Sequence, residues 1–431
     1  MLTRILIAAG TITLSTHAIQ AKPLVLSSED TVARLCLARQ DAPPRIVQAC
    51  DAALSVAHLT QSQRAELLVA RGDGFLWQNA YDQAKASYLQ ATTVNPRSVE
   101  AWNGLGWALW ELSGDQAAYE AFAHSLSIEV SVQGLGGKAA LARRMGMIDN
   151  SDAREMLQAA LAIDPDYIWA VREVGWSFFE DRNYKSAAQA FREALDIEPR
   201  DENARYGLGR TLLSQGKAGE ALNLFNDVLL DAPQDFPTLV YRIIALRDLD
   251  RNAQALRFAD RLIEDFPDRT SGYVQRAQAL MALERRVDAI ETYVTASEVL
   301  GPTNTILYWH ADALALDGRF AEALQVIERG LALDGADYSD HLMKSYIALE
   351  LEDYATARRS AEMSLAMGGE EPWAHYYIAI SLVHDGDATG GMLRFERALS
   401  AGLPVERIKD FATELVGAGK YVEAAQLRLK Y

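Results

Sequence analysis

The chain is short of several things, and each shortage excludes a class of protein. Only two cysteines occur in 431 residues, Cys36 and Cys50. With no His pair beside them they do not make a four-ligand zinc site. Twelve prolines and 28 glycines are too few for collagen-like or low-complexity sequence. Basic residues are outnumbered, 42 Lys+Arg against 59 Asp+Glu, for a net charge of −17. A chain so acidic lacks the basic face that a nucleic-acid backbone requires, and it has no electrostatic reason to dock on anionic lipid. Beyond the N-terminus no stretch reaches the ~18 apolar residues of a membrane span. There is no HExxH, no P-loop and no G-x-S-x-G. Gly134 to Gly137 is not followed by Lys-Ser/Thr, and no strand–helix alternation surrounds it. What remains, 49% hydrophobic and 23% charged residues, is the composition of a folded soluble protein.

Residues 1–21 read as a secretory signal: Arg4, then the apolar run Ile5 to Leu14, then small residues up to Ala18 and Ala21 as cleavage sites. An uncleaved anchor is the alternative. No cysteine follows until Cys36, so a lipidated Cys close behind the signal is not expected. The mature chain is expected to be exported, to the periplasm or beyond the cell, with no membrane span. Losing Arg4 takes its charge from −17 to −18. Cys36 and Cys50 are 14 residues apart, which in an oxidising compartment fits one disulfide across a helical hairpin. The alternative is two buried free thiols.

The chain repeats itself. Alanines 84, 118, 153, 187, 221, 255, 289, 323 and 357 are 34 residues apart, except for one step of 35. Prolines 165, 199, 233 and 267 keep the same period, and Gly72, Gly106, Gly175 and Gly209 each precede an alanine of the series by 12. Trp102-Asn103-Gly104-Leu105-Gly106, and then Val174-Gly175 with Phe178, Ala187, Phe191 and Pro199, follow the pattern Trp-x₂-Leu-Gly, Ala-x₃-Phe, Pro. Over nearly all of its mature length the chain resembles the tetratricopeptide repeat family.

That resemblance implies an all-α fold, an α-solenoid of about twelve helix-turn-helix hairpins in a right-handed superhelix. The organisation expected is a signal at 1–21, an irregular capping hairpin at 22–64, the array at 65–404 and a C-terminal capping hairpin at 405–431. A small residue at position 8 of helix A faces the helix-B alanine at position 20. Proline at position 32 ends helix B. No hairpin buries its apolar face alone, so neighbours must stack. The unit starting near 134, with Gly134, Gly136 and Gly137, is expected to kink or to begin as a loop.

In this family helix-A positions 2, 5, 9, 12 and 13 face the concave groove. Here they hold Trp77, Trp107, Trp110, Trp169, Arg172, Trp176, Phe179, Tyr206, Arg210, Tyr308, Tyr346, Trp373 and Tyr376. Aromatic and Arg side chains are the usual carriers of binding energy, and packing between neighbouring helices is the competing role. The family's Lys/Asn carboxylate clamp is not repeated: position 9 carries Asp73, Trp107, Trp176 and Arg210. His341 and His375 share a repeat position near His310 and are read as packing or surface groups, so no metal, cofactor or catalytic residue is expected. The chain reads as a non-enzymatic scaffold or adaptor of a bacterial cell envelope, holding a peptide or partner helix in the aromatic groove. The alternative is a carbohydrate-related scaffold for exopolysaccharide export, with a glycan as ligand and Asp73 and Asn103 as the polar flank of the tryptophans.

Overall fold

A computed structural model describes residues 30–39, 42–55, 58–368 and 371–430. The signal read at 1–21 lies outside them. The described residues form 24 α-helices and no strand, in two compact units divided between Asp181 and Arg182. The first unit holds α1 (Asp30–Ala38), α2 (Pro43–Leu54), α3 (Gln61–Leu76), α4 (Tyr81–Val94), α5 (Val99–Glu111), α6 (Asp115–Ile128), α7 (Val132–Arg144), α8 (Asn150–Ile163) and α9 (Ile168–Glu180). The second holds α10 (Tyr184–Ile197), α11 (Glu202–Ser214), α12 (Ala218–Asp231), α13 (Phe236–Asp248), α14 (Asn252–Asp265), α15 (Thr270–Ala282), α16 (Arg286–Leu300), α17 (Asn304–Leu316), α18 (Phe320–Leu331), α19 (Tyr338–Glu350), α20 (Tyr354–Gly368), α21 (Pro372–His384), α22 (Ala388–Ser400), α23 (Arg407–Gly417) and α24 (Tyr421–Lys430). The helix order keeps the register of the repeat. The boundary between units falls between α9 and α10, inside the stretch expected as one array.

The periodic residues form the core. All nine alanines of the series are fully buried. Four residues after five of them come Tyr88, Phe122, Phe191, Phe225 and Tyr293, each with 1% exposure or less, and Phe395 follows Gly391 by the same spacing. Spacing of four sets alanine and ring on one helix face. A Cβ on the position-8 glycines Gly72, Gly106 and Gly209 would meet these rings first. A Cβ on Gly106 would lie 2.8 Å from the Phe122 ring, and one on Gly137, from the following helix A, 2.5 Å from the same ring. Tyr88 is held likewise between Gly72 and Gly104, at 2.6 and 2.3 Å. Tyr88 and Phe122 thus each sit between two helices that only glycine lets close in. The same need corrects the expectation of a loop at residues 134–137: α7 is a continuous helix, and its glycines are sites of close approach.

The loop chemistry also repeats. From α3–α4 onward, one residue between helix A and helix B lies at positive φ: Asn79, Ser113, Gly146, Arg182, Gly216, Asp250, Glu284, Gly318, Glu352, Gly386 and Gly419. The next amide closes the helix end, as Arg285 N–H donates to the Leu280 carbonyl and Arg319 N–H to that of Leu314, both at 2.9 Å, the Schellman closure. At the other junction, position 4 ties a hairpin to the preceding proline: Trp102 Nε1 donates to the Pro96 carbonyl at 2.9 Å, and Tyr273 Oη to that of Pro267 at 3.2 Å.

A stability prediction follows from the left-handed site. Glu284 and Gly318 are both exposed, and a Cβ at 318 would meet nothing within 4 Å. Left-handed φ costs a residue with a Cβ roughly 1–2 kcal/mol, while glycine is disadvantaged in the unfolded chain by less than about 1. Glu284→Gly should therefore stabilise by about 0.5–1 kcal/mol, and Gly318→Ala should destabilise by about the same. Urea unfolding of the two variants checks this, and shifts of equal sign would refute it.

Candidate functional site

In the first unit the aromatic groove positions converge on α5 and α9. Trp107 and Trp110, three residues apart on α5, stack with centroids 5.4 Å apart and 9° between planes. Trp169 from α9 meets both edge-on, at 4.9 and 6.0 Å. Gly136 makes room for it, since a Cβ there would come 2.9 Å from the Trp169 ring. Arg144, held by Asp115 at 2.9 Å, lays its guanidinium 5.6 Å from the Trp110 centroid. All three tryptophans are half-buried, so they pack on one another and still offer ring surface outward. Trp176 and Phe179 make a second edge-on pair on α9, at 5.7 Å. Trp77 caps α3 and is 51% exposed. Among the described residues no ring contact joins it to the trio.

The charged groups of this unit are largely engaged. Arg172 is half-buried on α9 beside Tyr167, whose hydroxyl burial pushes up while the Arg172 charge opposes. Arg143 of α7 pairs with Glu173 at 3.2 Å and also with Glu180. Burial raises Glu173, with Arg143 opposing. Asp73 accepts from the Tyr88 hydroxyl at 2.5 Å and pairs with Arg39 at 3.0 Å. Asn103 donates to Ser131 Oγ at 3.1 Å. The two residues read as a polar flank for glycan are thus bonded within the protein.

In the second unit, Tyr206 and Arg210 of α11 meet Tyr241 of α13. The guanidinium lies 4.8 Å from the Tyr241 centroid and 5.7 Å from that of Tyr206. Burial pushes the Tyr206 hydroxyl up to about 12. Tyr308 on α17 is half-buried against Trp309, centroids 5.3 Å apart. His310 stacks on Tyr293, and burial lowers it to about 4. His375 is buried with Nδ1 3.3 Å from Arg394.

A cavity of about 800 Å³ lies at α19, α21 and α23. Tyr346 of α19, Tyr354 at the start of α20, and Trp373 and Tyr377 of α21 form its aromatic walls. Tyr346 and Tyr377 are 6.3 Å apart, Trp373 and Tyr377 6.1 Å. Tyr376 departs from its groove reading. It is 5% exposed and packs on Phe395 and Phe411 at 6.0 and 6.4 Å, so it belongs to the core and only floors the cavity. The last hairpin supplies Arg407, Asp410 and Glu414.

Several of these residues escape sequence reasoning. Tyr241 and Tyr377 share position 6, a signal that recurs and was available. Tyr354, Arg407, Asp410 and Glu414 had none, because a helix-B start and an irregular terminal hairpin lie outside the groove positions.

Comparison with known proteins agrees with this architecture. Sequence profiles of the tetratricopeptide repeat match residues 69–125, 143–202, 178–240 and 274–338. The chain belongs to the tetratricopeptide repeat family. Protein bimA of Emericella nidulans is 26% identical over 175 residues, 39% of this chain and 21% of that protein. Cellulose synthase 1 operon protein C of Komagataeibacter xylinus is 24% identical over 237 residues, 52% of this chain and 18% of that protein. The chain spans only about a fifth of the length of these curated relatives. Among solved structures, yeast Tom70 aligns over 94% of this chain and 97% of that one, with a TM-score of 0.54 and 12% identity, a likeness of fold alone. Tetratricopeptide repeats stack into surfaces that bind protein partners, and no described helix is long and apolar enough to cross a membrane.

Proposed function

We propose that this tetratricopeptide repeat protein is a non-enzymatic adaptor of a bacterial cell envelope that holds a partner polypeptide on the aromatic surface of its A helices. One observation carries the proposal: A helices of successive hairpins, α19 and α21, bring aromatic side chains to one open cavity that α23 completes with charge. Such rings supply large contact area at low conformational cost, as binding hot spots do. The compartment rests on the signal-like residues 1–21 and on the cysteine pair. A carbohydrate-related scaffold is the second reading. It rests on the 237-residue likeness to a protein of a cellulose synthase operon, and the engagement of Asp73 and Asn103 weighs against it.

Photo-crosslinking in intact cells, from probe residues placed at 107 and 373, tests the proposal. Discrete protein adducts in the exported fraction are expected, and Trp110→Ala and Tyr377→Ala should reduce those at the neighbouring probe. Adducts to glycan alone would favour the second reading. Adducts from cytoplasmic chains alone would refute the envelope.

A further inference from the structure

We propose that the cavity at α19, α21 and α23 is a cation pocket, which takes a Lys or Arg side chain of the partner polypeptide. The inference rests on the groove reading above and names the chemistry of its ligand. Four carboxylates edge the cavity, Glu350, Glu352, Asp410 and Glu414, against the one guanidinium of Arg407 among the described residues. Its lining carries aromatic rings, whose faces attract cations and repel anions. The two features reinforce each other, because a cation lodged against a ring is stabilised further by a nearby carboxylate in a partly desolvated site.

Arg407 shows this chemistry within the molecule. Its guanidinium lies 5.1 Å from the Trp373 centroid, and Nη1 donates to Asp410 at 2.7 Å. Arg407 is exposed on the first turn of α23, so its side chain swings aside at little cost when a ligand of the same charge arrives. Tyr354, also in the lining, stacks on His384 at 4.2 Å, and His384 Nε2 lies 2.9 Å from Glu414. Glu350 and Glu352 raise the Tyr346 and Tyr354 hydroxyls after burial has done so, the sign expected of an electronegative cavity. The ligand is therefore a basic segment, the reverse of the acidic chain end that a Lys/Asn clamp would hold. The chain's overall charge of −17 favours its approach.

The test uses the full exported chain and two small probes, N-acetyl-arginine amide and its uncharged counterpart N-acetyl-citrulline amide. The Trp373 indole N–H resonance, assigned through Trp373→Phe, is followed by NMR. The arginine probe should shift it in a saturable manner, with citrulline weaker by about tenfold, the scale of a desolvated cation–π contact. Glu350→Gln with Glu352→Gln, both exposed, should weaken the arginine probe several-fold and leave the fold unchanged. Arg407→Gln should strengthen it by removing the internal competitor, an effect no merely structural role would produce. Equal response to both probes, or no response, overturns the proposal. The crosslinks from position 373 separate the two readings. Protein adducts whose linked segment lacks Lys and Arg sink the cation pocket and leave the groove standing. Arginine selectivity without any protein adduct sinks the groove reading instead.

Discussion

Phe122→Ala should destabilise the first unit by about 3–5 kcal/mol, the range for removing a fully buried ring. Phe122 has no solvent exposure and packs against Gly106, Gly137 and Trp107, the last at a centroid distance of 5.1 Å. Its loss leaves a void between α5, α6 and α7 that glycine cannot fill from either side. The Trp107–Trp169 contact shares this ring as a backing, so the tryptophan surface should loosen as well. Gly137→Leu attacks the same contact from the other direction, overpacking a site with no slack, at about 1–3 kcal/mol or more. Urea unfolding followed by tryptophan emission reads both. If Phe122→Ala costs under ~1 kcal/mol, the value of a surface substitution, the ring is not the keystone of this hairpin.

Removal of the disulfide should have the next largest effect, confined to one end. Cys36 and Cys50 are bonded, with Cα atoms 4.9 Å apart, and join α1 to α2. Closing a loop of about 15 residues stabilises by roughly 3 kcal/mol in the chain-entropy treatment. The small apolar cluster beneath it comprises Ile46, Ala53, Leu67 and Ala70 besides the cysteines, too little to hold a terminal hairpin alone. Cys36→Ala with Cys50→Ala should therefore fray α1 and α2, with amide exchange there faster by about a hundredfold, while the later hairpins keep theirs. In repeat arrays each hairpin depends chiefly on its neighbours. Arg39 would leave with α1, and Asp73 would lose its 3.0 Å ion pair. Unchanged exchange in residues 30–54 would show that the staple is redundant. Collapse of the whole first unit would show that it is a keystone.

The repeat was legible because it is set by local geometry. A period of 34 with Ala, Gly and Pro in phase describes two helices and two turns. Burial of nine alanines in register follows from the 3.6-residue helix. The left-handed turn residue, by contrast, was illegible, since only five of its eleven occupants are glycine. Backbone closure imposes that conformation on Arg182, Glu284 and Glu352 regardless of their side chains. The partner of the position-8 glycine was likewise missed, because spacing aligns helices but does not say which neighbour projects furthest.

The candidate site divides in the same way. That Trp107, Trp110 and Trp169 sit on A-helix groove positions was readable from their phase. That they pack as a trio needed α5 and α9 to be placed together, with Gly136 of α7 making way for Trp169. Tyr376 and Trp373 are three residues apart on one helix, yet one is core and the other lines the cavity wall. The difference is made by Phe395 and Phe411, which arrive from other helices. Repeat sequence alone determined the helices, their number, their register and their buried seam, since each depends on residues within a turn or a hairpin of one another. Only the tertiary structure decided which rings stay open and which charges face them. Those depend on residues some 30 to 60 positions apart, brought together by stacking and bound by no common spacing.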